Sequence, residues 1–354
     1  MTGCSKNDDE DNGNNGEKLP DLPALPDPDD VCSAMDDITF MAYCYENIDV
    51  NKDGKVSVIE ANAVTYINLE DEYKQIVSLK GIERFTNLEE LYCKRSSIKA
   101  VDLRYNLKIT NLNFSGSKLE SILLPQSQTF TSIESVAFGG CSRLLEIAIP
   151  DNVTSIGEEA FVNCSSLTSI DIPESITVIK TSTFENCSKL GDIKLPPNLT
   201  SIERRAFYES GLRSINLPST LISIEDYAFN GCRYLMSIDL PTNLKELGKG
   251  AFQDSGLTNI NIPDGWEELG RDVFYSSDLI SLVLPKSMRR ISTNTFIFCK
   301  LQSVICYAEK PPHIDMIASS FSRDNDKLYV PATSVEAYKS SGWAKYFNNI
   351  LPIK

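Results

Sequence analysis

From residue 138 onward an apolar ring returns at a nearly fixed interval: Phe138, Phe161, Phe184, Phe207, Phe229, Phe252, Phe274 and Phe296 stand 22 or 23 residues apart. Between rings the apolar positions follow L-x-x-L-x-L-x-x-N, the last place holding a short polar residue or Gly. The rows are Leu144/Ile147/Ile149/Asn152, Leu167/Ile170/Ile172/Ser175, Leu190/Ile193/Leu195/Asn198, Leu212/Ile215/Leu217/Thr220, Leu235/Ile238/Leu240/Asn243, Leu257/Ile260/Ile262/Gly265 and Leu279/Leu282/Leu284/Ser287. The second and third apolar places alternate with polar ones, as a short strand requires. The Pro at 150, 173, 196, 218, 241, 263 and 285 then ends the strand, because it offers no N–H to a ladder. The closing polar side chain can bind backbone groups where the chain turns.

A second apolar pair follows, as in Ile176 and Ile179, and then a segment such as Glu158–Phe161 that reads as a short helical turn. A unit that buries its apolar edge only against copies of itself builds a solenoid. The pattern therefore predicts an α/β solenoid, with a parallel β-sheet on one face and short helical turns on the other. The rings form its packing spine, and the small residues before them (Ala137, Ala160, Ala206, Ala228, Ala251) let adjacent coils approach.

The variation in period has a local origin. Where a unit ends C-x-x-L, at Cys141, Cys164, Cys187 and Cys232, Phe and Leu are six residues apart; where it ends Ser210-Gly211-Leu212 or Ser255-Gly256-Leu257 they are five apart. The deletion falls in a turn, where length costs little. Residues 76–127 carry a relative of period 21, which pairs Leu91 with Leu112, Cys93 with Phe114, Val101 with Ile122 and Leu103 with Leu124. The expected organisation is a disordered acidic tether (1–30), a helix–loop–helix cap (31–78), short 21-residue repeats (79–127), 22/23-residue repeats (128–306) and a C-terminal cap (307–354). About ten coils would start near Leu79, well above the ~3 that a stable array needs.

Residues 79–354 resemble, in these rows, the BspA-type leucine-rich repeat family of bacterial surface proteins. Residues 327–347, KLYVPATSVEAYKSSGWAKYF, are similar to that family's closing strand and helix. The expectation is that Tyr338, Trp343 and Phe347 on one short helix cover the open apolar end of the array. The resemblance implies binding or adhesion at a cell surface and brings no catalytic residues.

A second motif precedes the repeats. Residues 49–60, DVNKDGKVSVIE, match the EF-hand loop D-x-[DN]-x-[DN]-G-x₅-E in full. Asp49, Asn51 and Asp53 would offer side-chain oxygens, Lys55 its carbonyl, Ser57 a ligand directly or through water, and Glu60 both carboxylate oxygens. Hard oxygen donors suit Ca²⁺, and no His or Cys lies in the loop. Phe40, Met41, Cys44 and Ile48 recur as on an amphipathic entering helix, and Ala61, Val64 and Ile67 as on an exiting one. A hand with no second hand beside it is more often a structural clip than a sensor. The calcium would thus hold the cap shut over the first coil.

The chain has a formal charge of −15, of which residues 1–30 supply −7. That balance argues against nucleic acid, since phosphate binding needs a basic surface. No run of eighteen apolar residues suggests a membrane span. Met1-Thr2-Gly3-Cys4-Ser5 resembles the end of a bacterial lipoprotein signal with Cys4 as the acylated residue. Asp8-Asp9-Glu10-Asp11 is similar to the surface-export tag of Bacteroidetes-type lipoproteins. Read so, the membrane contact is a lipid anchor alone and the location is the outer membrane, extracellular face; the alternative is a free cysteine in a polar tail.

Of the ten cysteines, Cys141, Cys164, Cys187, Cys232 and Cys299 occupy equivalent repeat positions where Ser stands in other units, which suggests small buried fillers. Cys32 and Cys44 are open to pairing, which spacing does not decide. The single histidine, His313, in Pro311-Pro312-His313-Ile314, reads as part of a turn rather than a catalytic base. Carboxylates on the strand face, at Glu146, Asp171, Asp192 and Asp239, occupy alternating columns and read as a solvated surface rather than a glycosidase pair.

With the apolar strand positions turned inward, Ser169/Asp171, Asp192/Lys194, Ser214/Asn216, Ser237/Asp239 and Asn259/Asn261 face outward. This polar stripe is the candidate surface for an extracellular protein or glycan. The competing expectation is a calcium-stabilised scaffold of an outer-membrane assembly, with the stripe serving solubility alone.

Overall fold

The computed structural model describes residues 19–70, 73–315 and 327–354. The chain is a parallel β-solenoid of about 12 turns. Its first ladder uses the predicted L-x-L strands. It runs from Ala100–Asp102 and Ser121–Leu123 through the bridges Ala148↔Asp171 and Asp171↔Lys194. It continues through Asn259–Asn261, Ser281–Leu284, Ser303–Cys306, Lys327–Val330 and Asn349–Pro352. A second ladder follows the second apolar pair, from Tyr66–Asn68 through Ser155–Ile156 and Ser223–Ile224 to His313–Ile314, in very short strands. In register, Leu91 faces Leu112 and Val101 faces Ile122, as the 21-residue period requires.

The spine is a stack of rings. From Phe114 to Phe296 successive centroids lie 5.4–6.4 Å apart with interplanar angles of 3–12°. Phe114 extends the stack one coil beyond the expected first ring.

The expected helical turns are not helices, and the fold is a β-solenoid rather than an α/β one. In the arc around Phe161, the N–H groups of Glu159, Phe161 and Asn163 donate to Thr181, Thr183 and Glu185 of the next coil at 3.0, 3.0 and 2.8 Å. The intervening Ala160, Val162 and Cys164 donate three residues back. This alternation rests on two left-handed residues per coil, placed two before and two after each ring from Phe138 to Phe296, as at Glu159 and Asn163 or Ser182 and Asn186. A left-handed residue breaks a right-handed helix and directs its amide toward the neighbouring coil. Asn, Asp and Gly are frequent at the second of these places, since they tolerate positive φ best.

The shortened turns depend on glycine through close approach. A Cβ at Gly211 would lie 2.2 Å from the Ser188 carbonyl oxygen, and one at Gly256 2.2 Å from that of Arg233. The closing polar residues bind backbone as expected. Asn152 Nδ2 donates to the carbonyls of Ser127 and Phe130 at 2.8 and 2.7 Å, and the Thr220 hydroxyl donates to Pro197 and Leu199. The repeat cysteines do more than fill space. The thiols of Cys141, Cys164, Cys187, Cys232 and Cys299 each donate to the carbonyl of a spine Phe in the preceding part of the array, at 3.0–3.2 Å. Burial, the main cause, pushes these thiols up, to about 11 for Cys141 and about 12 for Cys187 and Cys232.

Both ends are covered. Helix α1 (Ile38–Asn47) buries Phe40 and Cys44, and helix α2 spans only Val58–Ala63. The exiting helix is thus shorter than expected: Ile67 lies on the strand Tyr66–Asn68, which already belongs to the array, so the coils begin before Leu79. The β-branched and aromatic run Val64-Thr65-Tyr66-Ile67 favours extended backbone. The described part of the expected tether, residues 19–30, lies against the molecule. Pro20 and Pro23 offer carbonyls to the Tyr105 hydroxyl and Arg84 guanidinium, and Leu25 packs on the core.

At the far end Tyr338, Trp343 and Phe347 are buried, but Tyr338 lies on α3 (Val335–Lys339), Trp343 on a 3-10 turn (Gly342–Lys345) and Phe347 just beyond it, rather than on one helix. The Tyr338 hydroxyl donates to Ala308 O at 2.8 Å and Trp343 Nε1 to Pro312 O at 2.9 Å, fixing the cap to the last coils.

Candidate binding face and calcium loop

The loop 49–60 is drawn closed by its own polar groups. Asp49 is buried, and its Oδ1 and Oδ2 accept the N–H groups of Asp53 and Gly54 at 3.3 and 3.0 Å. Asn51 Oδ1 accepts the same Asp53 N–H at 2.9 Å, and Asp53 Oδ1 accepts from Lys55 N at 2.9 Å. Glu60 reaches across the loop. Its Oε1 accepts from Val50 N and Asn51 N at 2.9 and 3.3 Å, and its Oε2 from the amide and hydroxyl of Ser57 at 2.9 and 2.8 Å. These bonds, those from Ser57 foremost, hold the Glu60 carboxyl down at about 2.

Ser57 in turn accepts from Glu60 N, completing a capping box at the start of α2. Lys52 and Gly54 adopt positive φ, which makes the sharp turn. The donor set is therefore all oxygen, and Asp49 and Asn51 converge on one amide. Among the described residues no three His, Cys, Asp or Glu side chains stand as a ready-made metal cluster; the loop carboxylates are committed to its amides.

Asp30, Val31 and Tyr45, all outside the loop pattern, complete this cap. Asp30 Oδ1 accepts from Val56 N at 3.1 Å and from Cys32 N at 3.0 Å, while Val31 N donates to Val56 O at 2.9 Å. The segment Asp30–Val31 thus satisfies the backbone of the loop's eighth residue. Tyr45 adds its hydroxyl to Asp30 Oδ2 at 2.7 Å.

Asp37 caps α1 through Thr39 N and Phe40 N, and its second oxygen accepts from Val77 N and Ser78 N at 2.8 and 3.3 Å. Burial raises its pKa, but the four amides outweigh burial and leave it below the ordinary aspartate value. One carboxylate thereby starts the helix and docks it on the first coils. An Asp directly before the apolar pattern of α1 was the available signal.

On the first ladder, Ser169, Asp171, Asp192, Lys194, Ser214, Asn216, Ser237, Asp239, Asn259 and Asn261 are all exposed, while Ile170, Ile193, Ile215, Ile238 and Ile260 between them are buried. Asp171 is bridged to Lys194, Asn259 and Asn261 pair with Ser281 and Val283, and the Ser214 hydroxyl donates to Asp192 Oδ1 at 3.0 Å. Beside them stand exposed Leu145, Met236 and Ile280, which the polar reading of the face missed because they fall outside the repeat consensus. At the strand ends an open groove of about 440 Å³ is lined by Asp151, Asp171, Glu174 and Lys194. Further along, a cavity of about 790 Å³ is lined by Lys286, Arg289, Tyr307 and Lys310 with Asp264. His313 is exposed at the end of the second ladder, 3.4 Å from Asp315. Cys4 lies outside the described residues.

Stacked parallel coils, a ring spine and an in-register polar face define a leucine-rich repeat solenoid. The family profile described as "BspA type Leucine rich repeat region (6 copies)" matches residues 107–222 and 200–318, more than half of the chain. The chain belongs to the BspA-type leucine-rich repeat family.

Solved structures similar to it include two leucine-rich repeat proteins and a vaccine antigen. The T. pallidum leucine-rich repeat protein TpLRR is 30% identical over 44% of this chain and 71% of its own, with a TM-score of 0.39. A leucine-rich repeat protein from Bacteroides ovatus is 25% identical over 63% and 88%, with a TM-score of 0.34. The pneumococcal vaccine antigen PcpA is 18% identical over 76% and 72%, with a TM-score of 0.44. No curated protein matches the chain. A leucine-rich repeat solenoid is typically a non-enzymatic binding scaffold, and the family is consistent with binding or adhesion at a cell surface.

Proposed function

We propose that this protein is a lipid-anchored surface adhesin that recognises an extended extracellular protein or glycan along the open face of its first ladder. The observation that carries the reading is the repeated exposed pair, from Ser169/Asp171 to Asn259/Asn261, presented once per coil over a buried isoleucine column. An in-register series at the ~4.8 Å spacing of a parallel ladder suits a partner that is itself extended.

The strand-end edge of that face is acidic near Asp151, Asp171 and Glu174, with Lys194 opposite, and nearly balanced further along, where Lys286, Arg289 and Lys310 stand with Asp264 and Glu309. Such a gradient favours one orientation of a charged partner over the other. Ca²⁺ in the loop Asp49, Asn51, Asp53, Lys55, Ser57 and Glu60 serves as a structural clip for the N-terminal cap, in exchange for the loop's internal amide contacts. Anchoring falls to Cys4, followed by its acidic run.

The test is binding of wild-type protein and of Asp171→Lys/Asp192→Lys/Asp239→Lys to extracellular matrix and to glycan panels, with and without calcium. The reading expects a loss of at least tenfold in the variant at unchanged thermal stability. Binding that persists in the variant favours the scaffold role, in which the face is only a spacer.

A further inference from the structure

We propose that Cys32 and Cys44 are the site of a disulfide that staples the N-terminal cap, inserted by thiol–disulfide exchange with an oxidoreductase of the secretory route. Both side chains are fully buried, one in the turn Val31–Ala34 and the other on α1. Neither is cross-linked in this structure, and the Cys32 side chain is the largest influence on the Cys44 thiol, raising it above the ordinary thiol range. The segments that carry them are tied at the neighbouring residues: Asp30 accepts from Cys32 N through one oxygen and from the Tyr45 hydroxyl through the other, at 3.0 and 2.7 Å. These bonds hold the turn that carries Cys32 against the helix that carries Cys44. By contrast, the thiols of Cys141, Cys164, Cys187, Cys232 and Cys299 each engage a spine carbonyl.

The cap is also where a cross-link adds most. Residues 31–63 hold two short helices and a loop, too little chain to make a core of their own. The bond would fix the segment bearing Asp30 and Val31, which satisfies Val56 of the loop, to the entering helix α1.

The chemistry balances by exchange. A Cys thiolate attacks the oxidoreductase's disulfide and expels one of its thiolates; the second Cys then displaces the enzyme from the mixed disulfide. The two protons and two electrons leave on the enzyme's dithiol. The Cys32 side chain and then burial drive the Cys44 thiol up, so exchange belongs to the opening chain during folding, and the finished bond resists reductant until the cap unfolds.

Non-reducing peptide mapping of the full chain tests this, after expression through an oxidising compartment and, separately, after refolding in a glutathione redox buffer. The expected result in both is one linked Cys32–Cys44 peptide about 2 Da below the sum of its parts, with the repeat cysteines alkylated only after denaturation. A second readout is the cap's unfolding temperature, expected to fall by several degrees on reduction in wild type and to be insensitive to reductant in Cys32→Ser/Cys44→Ser. The proposal rests on the surface location only for its oxidant. A bond formed in glutathione but not in cells overturns the location. Free Cys32 and Cys44 in both samples, or a link to another cysteine, overturns the site itself.

Discussion

Replacing Phe207 tests what the ring spine contributes. Its ring is fully buried and stacks on Phe184 at 5.5 Å and 12° and on Phe229 at 5.4 Å and 8°. Its backbone is held independently, by Phe207 N to Ala228 O at 2.8 Å and by the Cys232 thiol to Phe207 O at 3.1 Å. These bonds keep the coil from collapsing into a void. Phe207→Ala should therefore leave most of its cavity open and cost ~3–5 kcal/mol. Two ring contacts at ~0.5–1.5 kcal/mol each amount to roughly 1–3 kcal/mol of that. Phe207→Leu restores the apolar burial but not the stacking, so it should cost only the latter.

The assay is urea unfolding followed by circular dichroism, with hydrogen exchange to locate the weakened coils. Contacts in a solenoid are with neighbours, so protection should fall first in the coils on either side of residue 207. Two results refute the reasoning: a Leu variant as destabilised as the Ala variant, or an Ala variant within ~1 kcal/mol of wild type.

Asp37→Asn keeps the shape but halves the acceptor oxygens for four amides; it should destabilise cap docking by roughly 1–3 kcal/mol, read as faster exchange at Val77 and Ser78. The folded pKa of Asp37 lies below its unfolded value, so its contribution is full above the unfolded value and lost as pH falls through the folded one. Acid opening of the cap in wild type and its flattening in Asp37→Asn check the sign. Val136 holds φ 61°, costly for a β-branched side chain, so Val136→Gly should raise stability by about 0.5–1 kcal/mol in urea titration; a loss would show that its packing outweighs the backbone strain. Glu60→Gln keeps one acceptor oxygen but sets an NH2 group against the remaining loop donors, so its metal-free melting temperature should fall below wild type and any calcium-induced rise should disappear. A chelator that leaves the wild-type melting temperature unchanged would remove calcium from the proposal.

The repeat was legible because a solenoid writes its contacts into its period. One residue per coil sees only its own copies, so Phe161, Ile170 and Asn152 each reveal their place by recurrence alone. The closed loop is local for the same kind of reason, its hydrogen-bonding oxygens being packed into residues 49–60. Backbone handedness was not legible. Val136, Glu159 and Arg205 all take positive φ although none of them advertises it, because their own amides must reach carbonyls of the next coil. The partner of Val56 was hidden too, since Asp30 sits 26 residues away in a stretch whose composition reads as a tether. Sequence thus determined the period and the buried spine, which are properties of residues and their spacing. The tertiary structure alone decided where each amide and thiol finds its acceptor, because a hydrogen bond is a matter of direction and distance between coils, and apolar periodicity carries neither.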